Sequence, residues 1–541
     1  MKKNDIIELK IEGITNEGCG IGRYEGMVVF VPFSAVGDIL SVKLLKVNKS
    51  HSYGKIESII SPSPDRIKPD CKAFGKCGGC SFRHISYEAE LRAKEGFVKD
   101  AFLRIGGLNP EFLPIIGNIS VDGYRNKAQY PVGKDAAGKY ISGFYADRSH
   151  RLVPCESCKL EQKIFSAIRG FILSFAEKNK ISVYNEEEHK GVLRHICIRR
   201  GHHSGEINVT LVVRRNVPEL KSLAKALGAE FPSIKGVTVN INKEKTNVIY
   251  GDSEIVLYGE NTITDTMLEK SFSVSPRSFY QVNTPMAEKL YEIAGRLAEP
   301  SDKVVIDLYC GAGTIGLTMA DKAKKIIGVE IEESAVENAN INKRLNNAEN
   351  AEFYCGDAGK ITDILRENGV KADVVIVDPA RKGCDERTLN NIVSFDPERI
   401  VMVSCNPSTA ARDCKYLESC GYKTISVQAV DLFSRTVHVE TVCLLSKLKS
   451  DQHIEVELKT DELDLTSAES KATYDEIKAY VKEHTGLTVS SLYIAQVKQK
   501  YGLEKRENYN KAKSKDSRQP KCPKDKEEAI VEALRFFKMI E

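Results

Sequence analysis

Two residues with reactive side chains end or interrupt apolar runs. Cys405 follows the run RIVMVS (399–404) and precedes an Asn-Pro step that favours the start of a helix. A cysteine there is either a small core residue or a nucleophile, and a helix N-terminus is expected to lower its thiol pKa, which favours the nucleophile. Glu440 lies inside VHVETVCLL (437–445). Burial there raises the pKa of a carboxyl group, which suits a general base; the alternative is an ordinary strand carboxylate.

A glycine-rich turn follows the apolar segment VVIDL (304–308). Gly311, Gly313 and Gly316 give the pattern GxGxxG, which lets the backbone approach a ligand closely. Alone, the pattern also fits a dinucleotide site or a plain tight turn. Glu330 ends the next predicted strand, where a carboxylate can accept hydrogen bonds from both hydroxyls of a ribose.

Acidic residues end the following predicted strands as well, namely Asp357 and then Asp378. The carboxyl ends of parallel strands border one crevice, so these side chains are expected to converge there. Together they would repel a pyrophosphate and would suit a cofactor that has an adenosine and a sulfonium cation. We therefore expect S-adenosylmethionine rather than a dinucleotide, against the alternative that the acids only cap turns and helices.

Three cysteines lie close together in the chain. Cys71, Cys77 and Cys80 have the spacing CxxxxxCxxC, which in a long chain without a secretory signal indicates metal binding rather than disulfides. Zinc and a cubane iron–sulfur cluster both require a fourth thiolate, and the nearest candidates are Cys155 and Cys158. By spacing alone, zinc fits at least as well as iron–sulfur.

The pattern of strands and helices that must position these residues predicts a multidomain α/β protein with four parts. Residues 1–61 have short alternating apolar segments, typical of a small OB-like β-barrel. Residues 62–285 mix strands and helix around the cysteines, as in an α+β domain. Residues 286–450 alternate apolar strands with helices, which predicts a Rossmann-like doubly wound sheet. Residues 451–541 are interpreted as a linker followed by a small helical, basic tail.

Composition and charge set further bounds. The formal net charge of the 541 residues is +4, which does not by itself imply a polyanionic partner. No apolar run reaches 18 residues and no signal-peptide core follows the N-terminus, so we expect a cytoplasmic protein without a membrane span. Two local basic stretches occur, residues 194–200 and 505–526. Either could be a solvated face or a nucleic-acid-binding surface, and the second could also be a disordered tail.

Six motifs occur in the order found in one known family: SFYQVN (278–283), DLYCGAGT (307–314), GVE (328–330), DPARKG (378–383), SCNP (404–407) and HVET (438–441). Through them, residues 5–450 resemble the RNA uracil-5-methyltransferases, specifically the cluster-containing bacterial ribosomal branch. Ala380 departs from the pattern, since many members have a second proline there, but the preceding acid and Arg381 are retained.

The resemblance implies a chemistry and a set of site residues. Cys405 would add to carbon 6 of a uracil so that carbon 5 can take a methyl group, and Glu440 would remove the carbon 5 proton. Cys158 would be the fourth ligand beside Cys71, Cys77 and Cys80, and the group held would be a 4Fe–4S cluster rather than zinc. The implied contacts to S-adenosylmethionine are Gln281, Tyr309, Thr314, Glu330, Asp357 and Asp378.

The N-terminal segment resembles a TRAM domain, an RNA-binding barrel, through EGCGIGR (17–23) and MVVFVPF (27–33). Aromatic residues available for base stacking are Tyr24, Phe30, Phe33 and Tyr53, with Phe30 expected in the barrel core. The expected substrate is a uridine of 23S ribosomal RNA, presented unstacked. The alternatives are a uridine of a transfer RNA loop and a non-catalytic RNA-binding protein. We expect a monomer without an obligate protein partner.

Overall fold

The computed structural model describes residues 1–448, 474–501, 522–537 and 539–540. The chain forms two compact units, Met1–Lys449 and Ser450–Glu541. Of the helices in the described ranges, none is long and apolar enough to cross a membrane.

The first unit contains three sheets and nine α-helices in its described residues. Its strands are β1 (Ile6–Ile14), β2 (Cys19–Tyr24), β3 (Met27–Pro32), β4 (Ile39–Val47), β5 (His51–Ser61), β6 (Glu111–Ile116), β7 (Lys127–Lys134), β8 (Tyr140–Tyr145), β9 (Leu152–Pro154), β10 (Leu193–Arg200), β11 (Ile207–Val213), β12 (Ile234–Ile241), β13 (Ser253–Gly259), β14 (Ile263–Met267), β15 (Lys270–Val274), β16 (Val304–Leu308), β17 (Lys325–Glu330), β18 (Ala351–Cys355), β19 (Val374–Val377), β20 (Arg399–Ser404), β21 (Tyr422–Val430) and β22 (Glu440–Lys447). Its helices are α1 (Tyr87–Asp100), α2 (Lys163–Lys178), α3 (Glu219–Glu230), α4 (Thr284–Ala298), α5 (Thr314–Met319), α6 (Glu333–Leu345), α7 (Ala358–Glu367), α8 (Glu386–Ser394) and α9 (Pro407–Ser419). Besides these sheets, β14 and β15 pair as a two-stranded hairpin.

The N-terminal strands close a barrel in the order β1-β2-β3-β5-β4. Along β1, exposed and buried residues alternate because successive side chains of a strand point to opposite faces. Inward-facing residues such as Leu9, Val29 and Leu40 fill the barrel. The predicted β-barrel is confirmed.

The central sheet has seven strands in the order β13-β12-β11-β10-β7-β8-β9. Its core is formed with α2 and α3, whose apolar residues include Ile168 and Leu223. In β11 all seven residues are buried, since its faces and both edges are covered. The mixture of strands and helices agrees with the α+β character predicted for this part of the chain.

The large sheet has the order β18-β17-β16-β19-β20-β22-β21-β6. Strands β16 to β20 are parallel, whereas β22 runs antiparallel between β20 and β21. The chain reverses direction across the sheet between β16 and β19, and the carboxyl ends of the strands at such a switch point border a ligand crevice. The predicted doubly wound α/β sheet is confirmed.

One segment joins this sheet from far away in the sequence. β6 pairs in parallel with β21, and Val98 and Phe102 pack into the core of the same sheet. A π-helical turn, Ala101–Gly106, connects α1 to this region. The domain boundaries 62–285 and 286–450 stay predictions, and the sheet takes β6 from the first of these ranges.

The second unit contains α10 (Tyr474–Thr485), α11 (Ser491–Lys500) and α12 (Lys524–Phe536) among its described residues. These helices pack around an apolar core that includes Ile477, Ile494 and Ile530. The predicted linker and most of the basic run 505–526 lie outside the described residues.

Candidate active site and cysteine cavity

Cys405 lies at the carboxyl end of β20, directly before α9. The helix begins there because the Asn406 side chain accepts a hydrogen bond from the Ser408 amide, and because Pro407 is suited to a first turn. The thiol is half-buried. This placement puts a nucleophilic side chain at the edge where the parallel strands end.

The pKa of the Cys405 thiol is raised above its ordinary value. Burial is the main cause, the carboxyl groups of Glu440 and Asp378 raise it further, and the Arg381 guanidinium lowers it. The prediction of a lowered pKa at the helix N-terminus is therefore wrong, because burial and two carboxyl groups outweigh the helix terminus. Thiolate formation at this site depends on Arg381 and on the protonation of the two acids.

Glu440 is the first residue of β22 and is only 4% exposed. It is buried because β22 lies between β20 and β21 in the sheet. Burial raises the pKa of its carboxyl group to about 8, with Asp378 adding to the shift and Arg381 opposing it. The direction agrees with the prediction from its apolar run. The charges of Arg381 and Asp378 act on Glu440, but no hydrogen bond from the described residues contributes to that shift.

Asp378 and Arg381 come from the loop after β19. Burial raises the pKa of the Asp378 carboxyl group to about 7. A guanidinium nitrogen of Arg381 lies 3.2 Å from both ring nitrogens of His438. Burial first, and then Arg381, lower the pKa of His438 to about 4, so this ring is neutral near pH 7. The Arg381 guanidinium lowers the pKa values of both Cys405 and Glu440, and so favours the ionised form of each.

The glycine turn after β16 has a backbone that leaves space beside it. Tyr309, Gly311 and Gly313 all have positive φ angles of 64°, 55° and 76°. A Cβ on Gly313 would lie 2.7 Å from Phe353, whereas a Cβ on Gly311 would meet nothing within 4 Å. The turn therefore needs glycine at 313 for packing, while the backbone at 311 faces open space that a ligand could fill.

Glu330 and Asp357 both bind backbone amides. Glu330 Oε2 accepts a hydrogen bond of 3.0 Å from the Gly311 amide, and Oε1 accepts one of 2.8 Å from the Ile331 amide. Asp357 caps α7 by accepting a hydrogen bond from the Lys360 amide. Both acids thus cap turns or helices, which is the alternative to a cofactor role that the sequence left open. Since a carboxylate has about four acceptor positions, each can still bind a hydroxyl group.

Gln281 and Thr314 are joined through Tyr291 of α4. The Tyr291 hydroxyl lies 3.2 Å from Thr314 Oγ1, and the Gln281 side chain acts on the same hydroxyl by lowering its pKa. Burial, followed by the charge of Asp378, raises the Tyr291 pKa. In the sequence Tyr291 appears only as one apolar position of an amphipathic helix, so its role was missed. The Tyr309 hydroxyl instead contacts Cys384 and Thr388.

A cavity of about 550 Å³ gathers the predicted metal ligands. Its lining includes Cys71, Cys77, Cys80, Cys155 and Cys158. Burial raises the pKa of the Cys80 thiol to about 12. Among the described residues, no group of three His, Cys, Asp or Glu side chains is arranged to hold a metal ion. The fold thus brings the cysteine triplet and the later cysteine pair of the sequence to one cavity without showing ligation.

The same cavity has a cationic wall. Arg199 of β10 is buried, and Phe279 beside Gln281 is 68% exposed. The basic stretch 194–200 is therefore not a solvated face: Arg194 and Arg199 point into the protein. Such cations suit the phosphates of a nucleic acid. The basic residues of the lining are Arg83, Arg125, Lys127, Lys159, Arg199 and Arg277.

An aromatic group lies on the outer surface of the barrel. The ring of Tyr53 is 5.5 Å from that of Phe30 and 5.3 Å from that of His51, measured between centroids. Phe30 is half-buried outside the barrel core, so its predicted core position is wrong. The reason is the register of β3, in which Val29 and Val31 point inward.

Comparison with known proteins adds to this geometry. The family described as tRNA (uracil-5-)-methyltransferase matches residues 86–448, and the TRAM domain matches residues 2–56. An RNA methyltransferase of Clostridium tetani is 42% identical over 448 residues, which cover 82% of this chain and 97% of that protein. One of Halalkalibacterium halodurans is also 42% identical over 448 residues, covering 82% of this chain and 98% of that protein.

Among solved structures, the Pyrococcus abyssi tRNA (uracil-54, C5)-methyltransferase in complex with S-adenosyl-L-homocysteine is similar with a TM-score of 0.66 and 27% identity. The match covers 81% of this chain and 100% of that one. Fold and site therefore define an S-adenosylmethionine-dependent RNA methyltransferase. The chain belongs to the tRNA (uracil-5-)-methyltransferase family and carries a TRAM domain. This makes it an enzyme rather than a non-catalytic RNA-binding protein.

Proposed function

We propose that the protein methylates carbon 5 of a uridine in 23S ribosomal RNA through a covalent bond between Cys405 and carbon 6. One observation carries the chemistry: Cys405, Glu440, Asp378 and Arg381 interact electrostatically at one edge of the large sheet. A thiol, a buried acid with a raised pKa and a cation are the groups that this reaction requires.

The residues fit S-adenosylmethionine. The Gly311 backbone faces open space, and the Glu330 carboxylate, which can accept from ribose hydroxyls, lies one hydrogen bond away. When bound, S-adenosylmethionine supplies the methyl group. We assign its contacts to the acidic strand ends and to the cluster around Tyr291, with residues Gln281, Tyr309, Thr314, Glu330, Asp357 and Asp378.

The steps assigned to this chain are two proton transfers and one reversible bond. The Cys405 thiol gives its proton to water, Sγ adds to carbon 6 of the uracil, and the electron pair of the 5,6 double bond moves toward oxygen 4. Carbon 5 then uses that pair to take the methyl group, which leaves a saturated 5,6 bond. Glu440 Oε removes the carbon 5 proton, the 5,6 double bond re-forms, and the bond from carbon 6 to Sγ breaks. Arg381 stabilises the thiolate in the first step.

We assign a 4Fe–4S cluster to the cysteine cavity, with Cys71, Cys77, Cys80 and Cys158 as its ligands. The fit rests on five thiols that line one cavity. Methyl transfer is redox-neutral, so the group would hold the cysteine loop or position RNA. Zinc is the alternative occupant of this site, and metal analysis distinguishes it from an iron–sulfur cluster.

The ribosomal target rests on the cysteine cavity beside cationic residues. A transfer RNA target is favoured by a different observation, the similarity to the Pyrococcus abyssi enzyme for uracil 54 of tRNA. Mass-spectrometric mapping of 5-methyluridine in both RNAs of a strain lacking the gene separates them. Loss from 23S ribosomal RNA alone is expected, and loss from tRNA alone would overturn the ribosomal assignment.

The covalent chemistry is tested with Glu440→Gln, incubated with unmodified RNA from that strain and labelled S-adenosylmethionine. We expect a stable, methyl-labelled protein–RNA adduct on a denaturing gel. Cys405→Ala should give no adduct and no methyl transfer. Cys420→Ala, at the other end of α9, is the matched control and should behave as the wild type. Absence of adduct with Glu440→Gln would refute the mechanism.

A further inference from the structure

The residues between β21 and β22 decide where the base lies. Val430 pairs with Glu440 across the two strands, so residues 431–439 form a loop that ends directly at Glu440. The Glu440 side chain extends from the backbone at the end of this loop, so the course of the loop sets where the carboxylate lies. Whatever holds the 431–439 loop therefore also places the base.

Lys94 of α1 is wholly buried and binds the start of this loop. Its Nζ donates hydrogen bonds of 2.6 Å to Asp431 Oδ1 and 3.1 Å to the Phe433 carbonyl oxygen. A third, of 2.8 Å, goes to Glu90 Oε1, one helical turn earlier on α1. One cation thus ties a helix more than 300 residues away in sequence to the loop that carries the base.

The charges around Lys94 are balanced. Glu90 Oε1 also accepts a hydrogen bond of 2.6 Å from the Arg435 amide, and the Arg435 guanidinium lies 3.6 Å from Glu90 Oε2. Asp431 Oδ2 accepts a hydrogen bond of 2.6 Å from the Tyr87 hydroxyl. Two carboxylates therefore meet two cations. Buried charges are expensive unless paired, so removing one partner would leave another buried charge unpaired.

Other groups donate single hydrogen bonds to the backbone of the loop. Asn283 Nδ2 donates to the Leu432 carbonyl oxygen at 2.9 Å, and the Tyr124 hydroxyl donates to that of Ser434 at 3.0 Å. The Ser81 amide, directly after Cys80, donates to the Arg435 carbonyl oxygen at 2.8 Å. Lys94 contacts both a side chain and the backbone of the loop, as Glu90 does through Arg435, and it also binds Glu90 itself, so its loss should displace the loop.

We propose that Lys94 is a positioning residue for Glu440: it fixes the 431–439 loop and thereby aims the carboxylate at carbon 5 of the bound uracil. The inference rests on the proposed function, in which Glu440 resolves the covalent adduct. The proposed role predicts different effects on two steps, whereas a general loss of structure would slow both. Formation of the adduct uses Cys405, which lies between β20 and α9, while resolution of the adduct uses Glu440.

The test follows formation and decay of the protein–RNA adduct in single-turnover reactions with unmodified RNA and labelled S-adenosylmethionine. Lys94→Met should form adduct within about threefold of the wild-type rate. Its resolution should slow by about tenfold or more, since a displacement of about 1 Å can cost on the order of 10²-fold. Methylated adduct should therefore accumulate. Lys99→Met, which loses only an exposed pair with Glu95 on the same helix, is the matched control.

Two further variants keep the test decisive if Lys94→Met does not fold. Tyr87→Phe removes the hydrogen bond to Asp431 and the one that the hydroxyl accepts from the Asn118 amide, without leaving a buried charge, and should slow resolution in the same direction. The double variant Glu90→Gln with Lys94→Met removes one charge of each sign and should also accumulate adduct. Glu440→Gln reports on the proposed function separately. If it traps adduct while the Lys94 and Tyr87 variants resolve theirs at the wild-type rate, or slow both steps equally, the positioning role is wrong.

Discussion

The backbone amide of Gly311 donates a hydrogen bond of 3.0 Å to the Glu330 carboxylate, which links the glycine turn after β16 to the end of β17. The two elements are neighbours in the sheet, so the acid of one strand shapes the turn of the next. This contact fixes the edge of the crevice at which the cofactor is expected to bind.

Replacing Glu330 with Gln should weaken binding of S-adenosylhomocysteine by about tenfold or more. A hydrogen bond to a charged group is worth about 1.5–3 kcal/mol, and the amide offers only one acceptor oxygen. Isothermal titration calorimetry measures the change. Glu332→Gln, two residues further on at an exposed position, is the control; equal affinities for both variants would remove Glu330 from the cofactor site.

Resolution of the covalent adduct should accelerate as the pH rises from about 6 to about 8. Glu440 accepts a proton only as a carboxylate, and burial raises its pKa to about 8, so the active fraction grows over this range. Decay of preformed wild-type adduct, measured at each pH, isolates this step from thiolate formation at Cys405. A decay rate that does not change over the range would contradict the assignment.

Glu440→Gln should stabilise the folded protein at alkaline pH. The pKa of Glu440 is about 8 in the folded protein and about 4.3 in an unfolded chain. The folded state therefore holds a proton that the unfolded state has lost, and stability falls as the pH rises through that window. Differential scanning calorimetry at pH 8.5 should show a Tm at least about 2 °C above wild type.

The gain in Tm for Glu440→Gln should shrink at pH 5, where the folded wild-type protein carries a neutral carboxyl group. Glu12→Gln, exposed on β1, controls for loss of one negative charge. A Tm difference that is the same at both pH values would mean that Glu440 is not buried as a titrating acid.

Replacing any one of the four proposed ligands should reduce the metal bound by the protein, whereas replacing Cys155 should not. Single replacements of Cys71, Cys77, Cys80 or Cys158 by Ser should abolish or greatly reduce bound iron and sulfide in protein prepared without oxygen. Cys155→Ser should retain them. Metal analysis that finds zinc without sulfide would favour the other occupant, and loss of iron in Cys155→Ser but not Cys158→Ser would exchange the fourth ligand.

The barrel surface should contribute to RNA affinity through Tyr53. Stacking of a base on an aromatic ring is worth about 1–3 kcal/mol, so Tyr53→Ala should weaken binding of single-stranded RNA by about 5- to 150-fold. Fluorescence anisotropy measures this change. Ile59→Ala removes an exposed apolar side chain from the same strand and should have little effect. If both variants bind equally well, the RNA does not cross this surface.

Patterns of residues close together in the sequence were enough to predict the strands and helices and many of the site residues. Apolar strand runs that end in Asp or Glu predicted the doubly wound sheet and its acidic edge, because both depend on residues close together in sequence. The position of Phe30 was missed, since its inward or outward direction follows from barrel register and not from hydrophobicity. The pKa of Cys405 was misjudged because it depends first on burial, and then on Glu440 and Asp378, which come from other parts of the chain.

The sequence by itself determined the family, through six ordered motifs, and the raised pKa of Glu440, through its apolar run. The sequence named Cys155 and Cys158 as candidates to join Cys71, Cys77 and Cys80, but only the tertiary structure brings both of them to the same cavity as these three. The tertiary structure alone also placed Lys94 against Asp431. Contacts of this kind join residues far apart in the chain, and packing of several elements at once creates them, so no local pattern of residue types can reveal them.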